Sequence, residues 1–413
     1  MAMIRPFRAL RPTSALASRV ATLPYDVMNT AEAAEMAAGN PYSFLHVSRA
    51  EIDLPAGTDV HSPAVYQKAA ENFQSLIQNG TLKQDEKPCL YIYAQTMDGR
   101  RQVGLVACSS VEDYFNDVIK KHEFTRPEKE LDRIEHMEAV KAHVGPIFLT
   151  YNPHDTVRSV IAKVVDTKPV YDFTAEDNIR HSVWVIEDAG DVAAICSAFE
   201  KEIPYTYIAD GHHRTASAAK VGLKMKAANA AHTSNEEYNF FLSVLFPADE
   251  LAIMDYNRVV KDLNGLSKEE LLEKIGEHFN INTIDSSLAK PVVLHEFGMY
   301  MSGQWYKLTA KTGSYTNDPI GVLDVTILQD KVLSPLLGIA DPRTDTRIDF
   351  VGGIRGMKQL EKRVDSGEMA VAFALYPVSL QQLMDIADSG NVMPPKSTWF
   401  EPKLRDGLFS HLF

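Results

Sequence analysis

The chain has few cysteines and no run of apolar residues long enough to cross a membrane. Its three cysteines are Cys89, Cys108 and Cys196, and they form no CxxC pair. Scattered thiols of this kind are expected to stay free in a reducing compartment, which excludes a disulfide-stapled domain. No stretch approaches the roughly 20 apolar residues of a membrane span, and the Arg-containing start at 1–12 leads into no signal-like apolar run. The sequence therefore predicts a cytoplasmic protein that has no membrane partner.

An excess of basic residues is also absent. The 413 residues include 42 Lys and Arg against 55 Asp and Glu, which gives a formal net charge of −13. Because an acidic surface repels nucleic-acid phosphates, a long groove for DNA or RNA is disfavoured, whereas a small basic pocket remains compatible. Hydrophobic residues make up 45% and charged residues 23% of the chain. These values are typical of globular proteins, and the length fits two or three domains.

No Gly/Ser linker, repeat or low-complexity tract marks a domain boundary, so the organisation is inferred from periodicity. The pattern predicts an amphipathic helix over 62–79 and then a hairpin with its turn at Asp98-Gly99. Pro127 begins a helix predicted to reach about His143, and a Ser-x-x-Glu capping box opens another at Ser267. We expect a mixed α/β (α+β) chain in three parts, 1–98, 99–236 and 237–413.

Four ionisable side chains are concentrated in one loop, Asp210-Gly211-His212-His213-Arg214. The β-prone run 205–209 precedes this loop, and an Ala-rich helix is predicted over 215–221 with Gly222 as its C-cap. The loop is therefore placed at a junction between a strand and a helix. Free backbone N–H groups and the helix dipole attract phosphate at such a junction.

The residue types of this loop suit phosphate chemistry. Gly211 lets an oxygen approach the backbone closely, and Arg214 offers a bidentate donor to phosphate oxygens. His212 and His213 add hydrogen-bond donors or acid/base capacity near neutral pH. Asp210 is a candidate catalytic carboxylate, although an Asp at this position can simply cap the helix. The adjacent histidines lack zinc-ligand spacing, so we expect no protein-bound metal beyond Mg²⁺ carried with a nucleotide.

A second charged cluster lies at 120–126, just before the helix that begins at Pro127. Glu123, beside basic groups, would stay ionised and could orient a hydroxyl nucleophile and accept its proton. A solvated charged turn is the alternative interpretation. The members of the cluster are Lys120, Lys121, His122, Glu123, Thr125 and Arg126.

The two clusters together resemble motifs of the free serine kinase family, whose members have the ParB/sulfiredoxin-like nucleotide-binding fold. Lys120, His122 and Glu123 match the Lys-x-His-Glu element of that family, and 210–214 match its Asp-Gly-His-His-Arg loop. A third and looser match is the segment 395–398, Pro-Lys-Ser-Thr, which is similar to the element near the C-terminus of the family that contributes to the substrate pocket. Over nearly its full length the chain also resembles a large, mostly uncharacterised bacterial family that carries the Asp-Gly-His-His-Arg motif.

The resemblance implies a fold, a division of the chain and a set of site residues. The fold is a ParB/sulfiredoxin-like nucleotide-binding domain over 99–236 with an insertion near 152–200, an additional N-terminal segment over 1–98, and a C-terminal α/β substrate domain over 237–413. The implied catalytic residues are Glu123, Asp210 and His212. The implied ligands of the nucleotide phosphates are Gly211, His213, Arg214, Lys120 and Arg126. The implied substrate ligands are Lys396, Ser397 and Thr398.

The resemblance also implies a function, a small-molecule kinase that uses ATP or ADP with Mg²⁺. Its acceptor would be the hydroxyl of a small metabolite, with free L-serine giving O-phosphoserine as one candidate. Trp399 stands where the family has an Arg. Trp cannot form an ion pair with a substrate carboxylate, so this departure counts against serine as the acceptor more than against phosphoryl transfer. The alternatives are a ParB-like nucleotide-binding regulator and a phosphohydrolase or nuclease that uses the same loop. The N-terminal segment, including Pro24-Tyr25-Asp26-Val27, is a candidate lid, site component or homodimer surface.

Overall fold

The computed structural model describes residues 1–413 as a chain of mixed α and β structure. The α-helices are α1 Ala17–Val20, α2 Thr30–Ala37, α3 Leu45–Ser48, α4 Pro63–Gln78, α5 Val111–Phe115, α6 Pro127–Val140, α7 Asp155–Val165, α8 Ala189–Glu202, α9 His212–Ala228, α10 Lys268–Ile275, α11 Asp324–Leu328, α12 Met357–Asp365 and α13 Leu380–Asp388. The strands are β1 Ile4–Arg5, β2 Leu10–Pro12, β3 Leu82–Gln84, β4 Leu90–Met97, β5 Arg100–Ser110, β6 Ile119–Lys120, β7 Ala142–His143, β8 Ile147–Tyr151, β9 Tyr171–Thr174, β10 Arg180–Ile186, β11 Thr206–Asp210, β12 Phe240–Pro247, β13 Ile253–Met254, β14 Tyr256–Val260, β15 Phe279–Ile284, β16 Glu296–Met301, β17 Gln304–Ala310, β18 Ile348–Gly352, β19 Val371–Leu375, β20 Trp399–Phe400 and β21 His411–Leu412. The mixed α/β class expected from the sequence is confirmed.

The chain forms two compact units that differ from the three predicted parts. The first unit contains residues 1–251 together with 402–413, and the second contains 252–401. The predicted boundaries at 98/99 and 236/237 both fall inside the first unit, where β4 and β5 are paired neighbours and β12 pairs with β5. Periodicity finds individual strands but does not show which strands pair, so it does not locate the borders of a compact unit.

The first unit is built on a nine-stranded sheet in the order β6-β11-β8-β12-β5-β4-β10-β9, with β1 added on β5. Most neighbours are antiparallel, whereas β6 with β11 and β8 with β12 are parallel. The β4–β5 hairpin confirms the predicted turn, because Asp98 and Gly99 both have positive φ, 50° and 80°. This is the geometry that favours Asp-Gly in two-residue hairpin loops. Buried aliphatic and aromatic side chains of these strands form the core against α5, α7, α8 and α9.

Two predicted helices are confirmed in type, and one of them ends earlier than expected. The predicted helix 62–79 is α4, whose buried residues include Val65, Ala69 and Phe73. Helix α6 begins at Pro127 as predicted but ends at Val140 instead of about His143. The chain turns there because Lys141 adopts a left-handed conformation, and the next two residues pair with β21.

The prediction for the helix after the loop was wrong at both ends. Helix α9 begins at His212 inside the loop and continues to Ala228, so Gly222 lies in its middle and is not its C-cap. A Cβ at Gly222 would lie 2.5 Å from the carbonyl oxygen of Tyr238. The glycine therefore serves a close approach between α9 and the chain before β12, which local sequence does not reveal.

The last twelve residues of the chain complete the first unit. Strand β21 pairs with β7, and Leu408 and Phe409 are fully buried. The backbone of Asp406 is paired with that of Thr22, and the side chain of Gln95 donates a hydrogen bond to the Lys403 carbonyl at 2.8 Å. These contacts fix the segment 403–406 within the unit that contains the Asp-Gly-His-His-Arg loop.

The second unit contains a six-stranded antiparallel sheet in the order β15-β17-β16-β19-β14-β18. Helices α10, α11, α12 and α13 belong to this unit, as does the short pair β13–β20. The capping box predicted at Ser267 is confirmed, because Ser267 and Glu270 each bond the other's backbone. Among the helices of both units, none combines the length and the apolar character needed to span a bilayer.

Candidate functional site

Strand pairing brings the two charged clusters of the sequence together. Strands β6 and β11 run parallel, with Ile119 opposite Thr206 and Lys120 opposite Tyr207. The carboxyl ends of parallel strands meet at the same edge of a sheet. The residues that follow β6 and β11, among them His122 and His212, therefore become neighbours although they are 90 positions apart in sequence.

The start of α9 is suited to binding an anion. Gly211 is its N-cap, with φ of 94°, and no side chain caps the helix there. The first turn contains no acidic residue, so the backbone N–H groups and the positive end of a 17-residue helix are not neutralised within the helix. A Cβ at position 211 would lie 3.1 Å from Arg214 Nε. Glycine is therefore required there both for its conformation and for the room it leaves to Arg214.

Each histidine of the loop accepts a hydrogen bond from the backbone of the first cluster. The N–H of His122 donates to His212 Nε2 at 3.4 Å, and the N–H of Arg126 donates to His213 Nε2 at 3.1 Å. The two bonds fasten the segment 122–126 to the first turn of α9. The sequence suggested phosphate donors or acid/base groups here. In the structure one nitrogen of each ring already has a positioning role.

His212 directs its other ring nitrogen towards Glu123. Burial, with the neighbouring His122 ring, lowers the pKa of His212 well below its ordinary value, so the ring is neutral. Because Nε2 accepts a hydrogen bond, the neutral ring carries its hydrogen on Nδ1. This Nδ1 lies 3.7 Å from Glu123 Oε2. The Glu123 side chain is 58% exposed, so its carboxylate lies near His212 and is accessible to a substrate.

Asp210 is held as a carboxylate by two cations. Its Oδ2 lies 3.1 Å from Lys403 Nζ and 3.8 Å from the Arg214 guanidinium. Burial opposes ionisation, but Lys403 and Arg214 outweigh it and lower the pKa of Asp210 to about 2. Lys403 belongs to the candidate site by this contact and was not predicted, because it lies 193 positions from Asp210 with no local motif around it.

His122 has two buried ring nitrogens without hydrogen-bond partners. Its ring packs edge-on against His212 with 4.4 Å between the ring centroids. Burial lowers the pKa of His122 to about 4, although Asp210 acts in the opposite direction. Since buried polar nitrogens are rarely unpaired, this ring is positioned to contact a water molecule or a ligand.

The two basic residues proposed as phosphate ligands have different surroundings. Lys120 Nζ lies 3.1 Å from Asp117 and 4.5 Å from the centre of the Tyr205 ring, with its side chain largely buried. The Arg126 side chain is exposed, and its Nε is 3.7 Å from Glu128. Arg126 is therefore the more accessible of the two.

The three proposed substrate ligands belong to the second unit. Lys396 has a positive φ of 57°, its carbonyl accepts a bond from Arg258 at 2.9 Å, and Ser397 Oγ donates to the carbonyl of Pro394. Thr398 follows them just before β20. The Arg258 guanidinium is buried, and burial lowers its pKa to about 10. Trp399 packs edge-on against Tyr256 with 4.9 Å between the centroids, so it has a packing role within this unit.

No group of three or more His, Cys, Asp and Glu side chains in residues 1–413 could hold a metal ion. The Asp210 carboxylate is already paired with Lys403 and Arg214. The residues present would therefore fit a Mg²⁺ ion only as a companion of a bound nucleotide, since Mg²⁺ needs few protein ligands in that case.

The first unit is thus a mixed α/β domain with an anion-attracting helix start and an exposed carboxylate near it. A family described as a protein of unknown function (DUF1015) matches residues 4–326, and the chain belongs to that family. A search of curated protein sequences finds no match.

Several solved structures show distant similarity to the chain. A free serine kinase in complex with AMP has a TM-score of 0.35 and 14% identity, covering 71% of this chain and 89% of that one. A conserved hypothetical protein from Pyrococcus furiosus has a TM-score of 0.34 and 14% identity, covering 71% and 91%. SbnI from Staphylococcus aureus, with a C-terminal truncation, has a TM-score of 0.36 and 12% identity, covering 73% and 85%.

Proposed function

We propose that the protein is a small-molecule kinase that transfers phosphate from a nucleotide to a hydroxyl group of a small metabolite. The observation that carries the proposal is the junction of the two motifs, with Glu123 within 3.7 Å of a neutral His212. The same two motifs resemble those of free serine kinases. A ParB/sulfiredoxin-like fold for the nucleotide-binding part is included in the proposal.

In this proposal Glu123 is the general base. Its carboxylate would accept the proton of the substrate hydroxyl as that oxygen attacks the phosphorus atom, and the bond to the leaving phosphate would break. The Nδ1–H of His212 would hold the carboxylate in position. The His213 bond to the Arg126 backbone would keep the whole segment in place.

The donor phosphates would lie at the start of α9. The backbone N–H groups that follow Gly211 supply donors, and Arg214 and Lys403 supply positive charge nearby. Asp210 would keep those two side chains oriented, because it contacts both. Mg²⁺ would arrive with ATP or ADP and would neutralise phosphate charge.

The activity is tested by incubating the protein with ATP, ADP or pyrophosphate and a panel of small alcohols that includes L-serine. ³¹P NMR identifies any phosphate monoester formed. Glu123→Gln is expected to lower kcat by roughly 10²- to 10⁴-fold, the usual contribution of a general base, without changing nucleotide affinity. Glu128→Gln is the matched control, because Glu128 is a nearby exposed glutamate whose ionic contact is with Arg126.

The same assay separates the alternatives. Release of inorganic phosphate without any ester would indicate a phosphohydrolase. Nucleotide binding without turnover would indicate a regulator. Full transfer activity in Glu123→Gln would refute the assignment of the base.

A further inference from the structure

A small cavity lies inside the first unit and shares Arg214 with the candidate site. Apolar side chains, among them Met137, Ile147 and Leu242, form most of its wall. Its volume is about 40 Å³. The polar side chains around it come from several separate segments, and they include Tyr25, Arg133, His136, His143, Arg214 and Asp406. By volume the cavity has room for roughly three water molecules. It is too small for a nucleotide and suits a single tetrahedral oxyanion.

Three side chains around this cavity each have a polar atom that is buried and has no partner. The atoms are Arg214 Nε, Asp406 Oδ1 and His143 Nε2. All three residues are more than nine-tenths buried. Because folded proteins rarely leave buried polar atoms unpaired, three such atoms on residues that line one cavity favour a hydrogen-bonding ligand there.

The unpaired nitrogen of His143 is an acceptor. Glu237 lies 2.7 Å from His411 Nε2, so His411 carries its hydrogen there and presents Nδ1 as an acceptor. His143 Nδ1 lies 3.3 Å from His411 Nδ1 and must therefore be the donor of that pair. Burial lowers the pKa of both rings, which keeps them neutral. His143 Nε2 is consequently left without a hydrogen and can only accept a bond.

The remaining groups combine positive charge with a second acceptor. Arg133 binds Asp132 through Nε and one terminal nitrogen, which leaves its other terminal nitrogen unused by that pair. Arg214 offers Nε–H, and its Nη1 donates to the Pro146 carbonyl. His143 Nε2 requires a hydrogen from the occupant, and Asp406 Oδ1 requires one when that carboxyl group is ionised, since burial raises the pKa of Asp406 to about 7. The occupant therefore needs oxygens that accept bonds from arginine and at least one hydrogen to donate.

We propose that this cavity binds a phosphate group in a protonated form, either inorganic phosphate or the phosphoryl group of a small ester. The oxygens would accept bonds from Arg214 and Arg133, and the P–OH would donate to Asp406 or His143. Sulfate has the same size and shape but carries no hydrogen at neutral pH, so the same pocket would reject it. The site goes beyond the proposed kinase activity, since it uses neither Glu123 nor a transfer step.

Gly145 supports this interpretation because it keeps the cavity open. A Cβ at this position would lie 3.2 Å from Asp406 Oδ1 and 3.5 Å from Arg214 Cδ. Its φ lies outside the left-handed region in which glycine is favoured. Alanine would therefore be accepted by the backbone but would intrude on the two side chains that need an occupant.

Isothermal titration calorimetry with inorganic phosphate, methyl phosphate and sulfate tests the proposal. We expect the wild-type protein to bind phosphate at least tenfold more tightly than sulfate. Glu123→Gln should bind phosphate with the same affinity as the wild type. At pH 8, where the Asp406 carboxyl group is largely ionised, Asp406→Asn should reduce that preference because an amide can donate to sulfate. The exposed control Asp166→Asn should not reduce it. Gly145→Ala should weaken phosphate binding at least tenfold while circular dichroism shows an unchanged fold.

The outcomes are separable from those of the kinase assay. Binding of methyl phosphate would assign the site to a phosphoryl group of an ester, and its exclusion would assign it to free phosphate. Equal affinity for phosphate and sulfate, no binding of either, or a crystal structure in phosphate that shows only water in the cavity would overturn the proposal. Loss of kinase activity with phosphate binding retained would leave it standing.

Discussion

The ion pair between Lys403 and Asp210 joins the last segment of the first unit to the candidate site. We expect Lys403→Met to destabilise the protein through Asp210. Methionine keeps most of the length and apolar stem of lysine but removes its charge. The carboxylate would then lie among buried neighbours with Arg214 alone as its cationic partner.

The structure sets the size of this effect. The Asp210 pKa lies at about 2 against an ordinary value of 3.8, a difference worth about 2.4 kcal/mol at most, since one pKa unit corresponds to roughly 1.36 kcal/mol. Arg214 supplies part of it, and the Asp210 side chain is 31% exposed, so solvent screening reduces it further. We expect a coupling free energy of about 1 kcal/mol between Lys403 and Asp210 at pH 7.

The coupling between Lys403 and Asp210 should weaken as the pH falls. A carboxyl group whose folded pKa is lowered contributes stability that is fully present above its unfolded pKa and is lost as the pH falls through its folded pKa. For Asp210 this window runs from about pH 4 down to about pH 2. The coupling should therefore fall to roughly half at pH 3.

A double-mutant cycle measures the coupling directly. Urea unfolding of the wild type, Lys403→Met, Asp210→Asn and the double variant gives the interaction free energy, independent of other contacts of each residue. Lys168→Met on the exposed surface of the same unit serves as the control. A coupling below about 0.3 kcal/mol at pH 7, or one that does not change at pH 3, would refute the electrostatic account of Asp210.

Two further predictions concern buried positions of the first unit. Burial raises the pKa of Asp406 to about 7, against the opposing effect of Arg214. The folded protein therefore holds a proton that the unfolded chain releases above about pH 4, and its stability should fall as the pH rises from about 4 to about 7. Asp406→Asn should remove that loss, which is at most about 4 kcal/mol, and urea unfolding at about pH 4 and pH 8 measures it. A Cβ at Gly222 would lie 2.5 Å from the Tyr238 carbonyl oxygen, so Gly222→Ala should lower stability by about 1–3 kcal/mol despite the better helix propensity of alanine. Thermal unfolding beside the exposed control Lys226→Ala tests this, and equal stability of the two variants would contradict the close approach.

Local sequence was sufficient for the type of several elements. Helix α4, the β4–β5 hairpin and the capping box at Ser267 follow from periodicity, from the turn residues Asp98-Gly99 and from the pattern of a cap. These features depend on residues within a few positions of each other. The prediction of a phosphate site at 210–214 rests on the same kind of local signal, because four ionisable side chains occur within five residues.

Packing overruled local signals at other positions. Gly222 has the pattern of a helix C-cap, but it lies in the middle of α9 because another segment approaches it closely. The division into compact units was equally hidden, since the chain leaves the first unit at residue 251 and returns to it at 402. Short-range periodicity shows neither that the chain re-enters the first unit at residue 402 nor which strands pair.

The sequence by itself determined which residues can do chemistry, and tertiary structure decided which of them meet. Parallel pairing of β6 with β11 brings Glu123 beside His212, and the returning segment places Lys403 on Asp210. The cavity beside Arg214 likewise needs His143 and Asp406, which are 263 positions apart by number. Residue type fixes charge and hydrogen-bonding capacity within the chain. Contacts over such separations arise only when burial of the apolar strands selects one arrangement of the sheet.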